Sequence, residues 1–307
     1  MKDLIILGNG MAGMTAALYA KRANLDFDII GKDSYDFGQI GNAILVENYP
    51  CSESKSGFDL AMSLHDQLEA NGVEIKEHEV EDIFKFDDHY RIYCADGESF
   101  ETKTIIYALG ANHRELKTID QNVPVHYCAL CDGALYKDKR VAVIGGGDVA
   151  FTQAEYLSKI CKEVRILMCD SNVTASPSTF ERVSKIHNVY IDYDCPVVRI
   201  TKDTNGVLWI WCEGVRGPIF AEGVFVSIGM IPNTSILHFV SLTENGYIPA
   251  DETGVTDCPG FFAAGDVRTK RVRQSVTAAS DGANAVQSVI DYLKVANCMG
   301  HIGDDTL

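Results

Sequence analysis

Leu4-Ile5-Ile6-Leu7-Gly8-Asn9-Gly10-Met11-Ala12-Gly13-Met14 is the stretch that decides the fold. Four uninterrupted apolar residues read as a buried strand, and three glycines in the spacing Gly-x-Gly-x-x-Gly follow at once. A helical pattern then runs from Met14 to about Ala23, and Phe27–Ile30 reads as a second strand. Strand, tight glycine turn and helix bring backbone N–H groups and the positive end of a helix dipole to one point, where a pyrophosphate binds. The same unit returns at Val141–Ile144, Gly145-Gly146-Gly147-Asp148-Val149-Ala150, a helix to about Ile160, and a strand near Val164–Met168. Two such units imply a flavin site and a pyridine-nucleotide site, or a descendant of one.

The expected fold is α/β: two Rossmann-like, three-layer nucleotide-binding domains, the second inserted in the first. Val73–Val80 and Tyr90–Phe100 read as strands around the turn Ala95-Asp96-Gly97, and Thr104–Leu109 as a buried strand ending at Gly110. Val189–Ile200, Val207–Cys212 and Ala221–Ser227 read as strands beyond the second motif. Phe261-Phe262-Ala263-Ala264-Gly265-Asp266 then returns the chain to the first domain, ahead of a helix from Ser275 to about Val295. The crossings are placed so that 1–113 and 244–307 form the outer domain and 114–243 the inserted one. The segment Cys298–Leu307 carries weak signals and reads as a disordered tail.

A chain of 307 residues suits two domains, and 46% hydrophobic with 23% charged residues is ordinary for soluble proteins. No apolar run approaches the roughly 20 residues a membrane span needs. The start reads as a strand, without the apolar region and cleavage site of a signal peptide. Ten cysteines with one close pair point to a cytoplasmic protein whose other thiols stay reduced. The net charge of −16 repels nucleic acid, so an acidic partner needs a local basic patch. Arg268-Thr269-Lys270-Arg271-Val272-Arg273 supplies one.

Cys128-Ala129-Leu130-Cys131-Asp132-Gly133 places two thiols at the spacing of a small reversible disulfide. Exchange runs through the thiolate, which a helix beginning near the second cysteine stabilises, and Asp132 stands ready to give or take the proton. A zinc site needs a further pair at ligand spacing, which the cysteines at 51, 94, 161, 169, 195, 212, 258 and 298 do not form. Inert buried thiols are the other reading, and His126 is either structural or tunes the pair.

These residues, with Gly38-Gln39, Glu47-Asn48-Tyr49-Pro50, Gly229-x-x-Pro232-Asn233-Thr234, Gly265-Asp266-Val267 and Arg273-Gln274, fall in an order that resembles the low-molecular-weight thioredoxin reductase family over essentially the whole chain. The resemblance implies FAD, with its pyrophosphate held by Gly10, Ala12 and Gly13 in the turn that also contains Gly8 and Met11. Gln39 and Asn48 would lie along the flavin beside Gly38 and Gly110. Asp266, between Gly265 and Val267, would bond the ribityl chain, and Arg273 and Gln274, followed by Ser275, would meet the pyrimidine edge, where a cation stabilises the reduced ring. It further implies a homodimer, a rotating inserted domain, thioredoxin as partner, Cys131 nearer the flavin and Cys128 attacking the partner disulfide.

One region departs from the family. Members that use NADPH carry a His-Arg-Arg run and a further arginine after the second strand of the inserted domain; here stands Leu167-Met168-Cys169-Asp170-Ser171-Asn172-Val173-Thr174, with no cation between Ile166 and Glu181. Asp170 repels a 2′-phosphate and suits a 2′-hydroxyl. Phe151 is expected near the nicotinamide route. Both features resemble the subgroup that takes electrons from ferredoxin, for which Arg268, Lys270 and Arg271 would form the landing patch. Ferredoxin is thus the expected donor, ahead of NADH and then NADPH. The alternatives are an NAD(P)H-dependent reductase of this kind and a reductase of small disulfides or of a peroxide system.

Overall fold

The computed structural model describes all residues except 44, 45, 47, 54, 118, 121, 122 and 304–307, with side chains as far as 296. Glu47 and the last four residues of the expected tail therefore lie outside the described residues. The chain divides into two compact units, Met1–Asn112 with Ile231–Leu307, and His113–Met230.

In the first unit β1 (Lys2–Leu7) passes through the glycine turn into α1 (Met11–Arg22) and β2 (Phe27–Gly31). Leu4 and Ile6 face one hydrophobic cluster, Ile5 and Leu7 the opposite one, and all four are fully buried. That alternation is what a strand covered on both faces requires. α2 (Gly57–Ala70) is capped by Ser56, whose hydroxyl accepts the Asp59 N–H. The single strand expected over 73–80 is two: β3 (Ile75–Glu77) lies parallel to β2, and β4 (Val80–Lys85) pairs antiparallel with β5 (Tyr90–Cys94). β6 (Ser99–Tyr107) pairs with β5 through its first half and runs parallel to β1.

β7 (Ala111–His113) leads into the second unit, which holds α3 (Ala129–Asp132), β8 (Arg140–Ile144), α4 (Asp148–Ser158), β9 (Glu163–Leu167), α5 (Pro177–Ser184) and β10 (Val189–Asp192). Next come β11 (Val197–Lys202), β12 (Leu208–Cys212), β13 (Ile219–Ala221), β14 (Gly223–Val226) and β15 (Met230–Pro232), which pairs with β7. The expected strand over 189–200 breaks at Pro196, which has no N–H to give a ladder. A parallel sheet, β10-β9-β8-β14, is the middle layer. Val141 and Val143 pack toward α4, while Ala142 and Ile144 face the antiparallel sheet β11-β12-β13.

The second crossing falls at 230/231, earlier than the expected 243/244. Asn233 anchors the returning chain to the first unit: its N–H donates to Gly110 O at 3.0 Å, its Nδ2 to Leu109 O at 2.8 Å, and its own carbonyl accepts Tyr107 Oη at 2.6 Å. Leu237 and Val240 then bury themselves with Ile5 and Leu7. β16 (Phe261–Ala263) completes the seven-stranded sheet against the second half of β6. α6 (Ser275–Gly303) packs on α1, where a Cβ on Gly282 would stand 2.1 Å from Ala12 O. With no proline to interrupt it, the helix continues through much of the segment expected to be disordered. Among the described residues no helix is long and apolar enough to cross a membrane.

Candidate active site

β1, β6 and β16 run parallel, so their carboxyl ends bring the first glycine turn, Gly110 and Gly265 to one edge of the sheet. Gly8 sits at φ +104°, where a Cβ would be 2.5 Å from Ala108 O, and a Cβ on Gly13 would be 1.7 Å from Gly8 O. Gly10 caps α1 with no side-chain bond, and no acid occupies the first turn, so the helix presents unpaired N–H groups. Met11 and Ala12 are buried beneath the turn, and Val267 is in the core. Asn48 Nδ2 donates to Gln274 Oε1 at 3.0 Å, Gln39 Nε2 bonds Ala111 O after Gly38 (φ +65°), and Ser275 opens α6. The Arg273 guanidinium lies 4.4 Å from the centre of the Tyr247 ring. Two buried polar atoms here, Asp266 Oδ1 and Arg273 Nε, have no hydrogen-bond partner, and burial pushes the Asp266 carboxyl up. An open anion site together with orphaned acceptor and donor atoms fits FAD.

In the second unit Cys128 and Cys131 form a disulfide, with Cα atoms 5.3 Å apart. Both are half-buried, and Leu130 between them is 51% exposed. The expected helix begins one residue after the first cysteine, not at the second: Cys128 caps α3, and its Sγ accepts the Cys131 N–H at 3.2 Å. Asp132 is buried beside the pair, its Oδ2 2.9 Å from His126 Nδ1, while His126 Nε2 lies 2.7 Å from Tyr136 Oη. Tyr136 carries no signal in the sequence. A second disulfide, Cys195–Cys212, joins buried cysteines, contrary to the expectation that the other thiols stay reduced. Strand register brings them together: Cys212 lies opposite Val197, two residues from Cys195.

The second glycine turn keeps its shape. Gly145 sits at φ +143°, where a Cβ would be 2.3 Å from Ser227 O, and Gly147 caps α4 without a side-chain bond. Thr174 N and Oγ1 and Ala175 N donate to Gly146 O, and Ser176 N and Oγ bond Asp148 Oδ1, holding that carboxyl below its ordinary range. Asp170 is exposed just beyond β9 and accepts the Asn172 N–H.

A family model described as pyridine nucleotide-disulphide oxidoreductase matches residues 2–283. The chain belongs to that family. It is a flavin-dependent disulfide oxidoreductase, and its cofactor is FAD. A thioredoxin reductase of Listeria monocytogenes is 34% identical over 301 residues, covering 95% of this chain and 94% of its own. A solved thioredoxin reductase of Streptococcus pyogenes is 35% identical, covers 96% of this chain and 99% of its own, and superposes with a TM-score of 0.84. A solved ferredoxin-flavin thioredoxin reductase of Clostridium acetobutylicum is 23% identical with a TM-score of 0.55, a likeness of fold alone.

Two features expected to set this pyridine nucleotide-disulphide oxidoreductase apart are corrected by the geometry. Phe151 is fully buried, edge-on to Phe180 in the core behind α4, so it does not stand in a nicotinamide route; Val149 is the exposed neighbour. The basic run is not a surface patch either. Arg268 is 7% exposed and the Lys270 side chain 5%, and both close on Asp281, itself 4% exposed. Asp281 accepts Arg268 Nε at 3.0 Å and Nη2 at 2.6 Å, Lys270 Nζ at 2.8 Å and Gly265 N at 3.0 Å. Of the three expected landing residues Arg271 alone is exposed. A buried carboxylate needs such donors, and sequence reasoning missed it because it lies a full helical turn and a loop away from the cations.

Proposed function

We propose that the chain is a thioredoxin reductase drawing electrons from a reduced pyridine nucleotide, NADH in preference to NADPH. The observation that carries this is a half-exposed Cys128–Cys131 disulfide in the same unit as a glycine turn whose helix cap, Gly147, carries no side-chain bond. Relatives covered over nine-tenths of their length, each a thioredoxin reductase, support the choice of a protein partner. With Arg268 and Lys270 closed on Asp281, a ferredoxin donor loses the surface that argued for it. With Phe151 in the core, the nucleotide route loses its obstacle. Asp170, with no cation from 167 to 180, favours a ribose hydroxyl over a phosphate.

FAD, when bound, would supply two-electron transfer to the disulfide. The glycine turn of Gly8, Gly10 and Gly13 would hold its pyrophosphate, and Asp266 Oδ1 and Arg273 Nε, which have no hydrogen-bond partner within the protein, would bond it. Cys128, whose Sγ already accepts the Cys131 N–H, attacks the partner disulfide; Asp132 carries the proton.

Anaerobic spectra of the FAD-loaded protein with NADH, NADPH and reduced ferredoxin in turn test the donor. NADH should bleach the flavin at concentrations at least about tenfold below NADPH, a difference of roughly 1.4 kcal/mol. Bleaching by ferredoxin alone contradicts the proposal. Turnover with thioredoxin, compared with a small aromatic disulfide, tests the partner.

A further inference from the structure

We propose that His126 is a positioning residue for the thiol chemistry: it fixes the Asp132 carboxylate through Oδ2, so that Oδ1 alone exchanges the proton of the dithiol. The inference rests on Cys128 and Cys131 being the reacting pair, and not on the identity of their partner.

His126 is 4% exposed, and its backbone is held by β14: its N–H donates to Val224 O at 2.9 Å, and its carbonyl accepts the Val226 N–H at 2.7 Å. The ring sits between Phe225 and Tyr136, with centroids 5.3 Å and 5.2 Å away. A carboxylate can only accept and a phenol has a proton to give. A neutral imidazole therefore satisfies both neighbours in one way, donating from Nδ1 to Asp132 and accepting at Nε2 from Tyr136. Tyr136 thus sets the tautomer that Asp132 requires. The groups that face this array are Asp132 from α3, Tyr136 with the Lys139 ammonium 5.4 Å from its ring, and the apolar Phe225 from β14. Asp132 Oδ1 is buried without a hydrogen-bond partner. A histidine serving only to fill the core would not account for a carboxylate, in the residue that follows Cys131, that spends one oxygen on the ring and leaves the other bare.

In the reduced protein Oδ1 takes the proton of one cysteine as its S–H bond breaks and that sulfur forms a bond to a partner sulfur. The partner S–S bond breaks, and the leaving sulfur receives the proton. The second cysteine then displaces the mixed disulfide, and its proton goes to the departing partner sulfur. Two electrons and two protons leave the dithiol, and the partner gains both.

The test follows the anaerobic reaction of the pre-reduced, FAD-bound protein with a soluble aromatic disulfide from about pH 5 to 9. His126→Ala removes the donor that fixes Oδ2 and so weakens proton exchange at Oδ1. The acid limb of the profile should move up by about one pH unit, a roughly tenfold loss of rate at its low end. His126→Asn, which keeps a donor to Asp132, should restore the limb. In an Asp132→Asn background His126→Ala should change nothing further, because the pair acts as a unit. A loss equal at all pH values, or additive with Asp132→Asn, overturns the proposal. If His126→Ala fails to bind FAD, Tyr136→Phe carries the test: a smaller shift in the same direction supports the relay, and an unmoved limb overturns it. Failure of the wild-type protein to reduce thioredoxin would leave these results standing and remove only the choice of partner.

Discussion

Replacing Asp281 by asparagine keeps the size of the side chain and removes the charge on which Arg268, Lys270 and Gly265 N converge. All three charged side chains are more than nine-tenths buried, so solvent cannot take over the lost interaction. Removing one partner from a buried ionic cluster costs about 3–5 kcal/mol, because the Arg268 guanidinium loses its carboxylate and Lys270 keeps only Asp266 Oδ1, 3.8 Å away. For a unit the size of Met1–Asn112 with Ile231–Leu307, each kcal/mol lowers the melting temperature by about 2–4 °C, giving a fall of roughly 6–20 °C. The assay is thermal release of FAD followed by its fluorescence, at low and high salt. The loss should be nearly independent of salt, since the cluster is shielded from counterions. If the basic run were a solvated docking patch, Asp281→Asn would be close to silent. A fall of less than about 2 °C, with Arg268→Gln and Lys270→Gln equally silent, refutes the buried-cluster account.

Asp266 is raised above the ordinary aspartate range by burial, so its ionisation costs the folded apoprotein stability that is present at low pH and lost as pH rises through the raised value. Asp266→Asn should therefore melt above wild type in the apo form at neutral pH. The gap should close below the ordinary aspartate range, while FAD affinity falls; scanning calorimetry and flavin titration read both. Phe151→Ala should cost about 3–5 kcal/mol in denaturant unfolding and leave the Michaelis constant for NADH unchanged, because the ring fills core and not the nucleotide route. Cys195 and Cys212 close a loop with a sequence separation of 17, so Cys195→Ser with Cys212→Ser should lower stability by about 3 kcal/mol without slowing the half-reaction of the Cys128–Cys131 pair.

Local rules sufficed for the glycine turns. At Gly8, Gly13 and Gly145 the backbone conformation or a neighbouring carbonyl forbids a side chain, and that demand is written in spacing. The close Cys128–Cys131 pair is equally local. Phe151 was readable too: Ala150, Phe151, Ala154 and Leu157 recur at helical spacing and mark the core face of α4, which leaves Val149 outside. What escaped was pairing at a distance. Nothing in Arg268–Arg273 announces that Asp281, on the first turns of a helix, folds back over two of its cations. Cys195 and Cys212 meet only through the register of β11 and β12. His126, alone in the sequence, acquires a meaning when β14 fixes it between Asp132 and Tyr136. The second crossing was misplaced because Asn233, not a loop composition, anchors the return.

The central claim is that bound FAD and the Cys128–Cys131 disulfide exchange an electron pair. Anaerobic reductive titration of the FAD-loaded protein, in a Cys195→Ser and Cys212→Ser background, measures it directly. The protein with both redox cysteines should take up one electron pair for the flavin and one for the disulfide. The protein with Cys128→Ser and Cys131→Ser added should take up the flavin's pair alone. Equal uptake by the two proteins would contradict the claim.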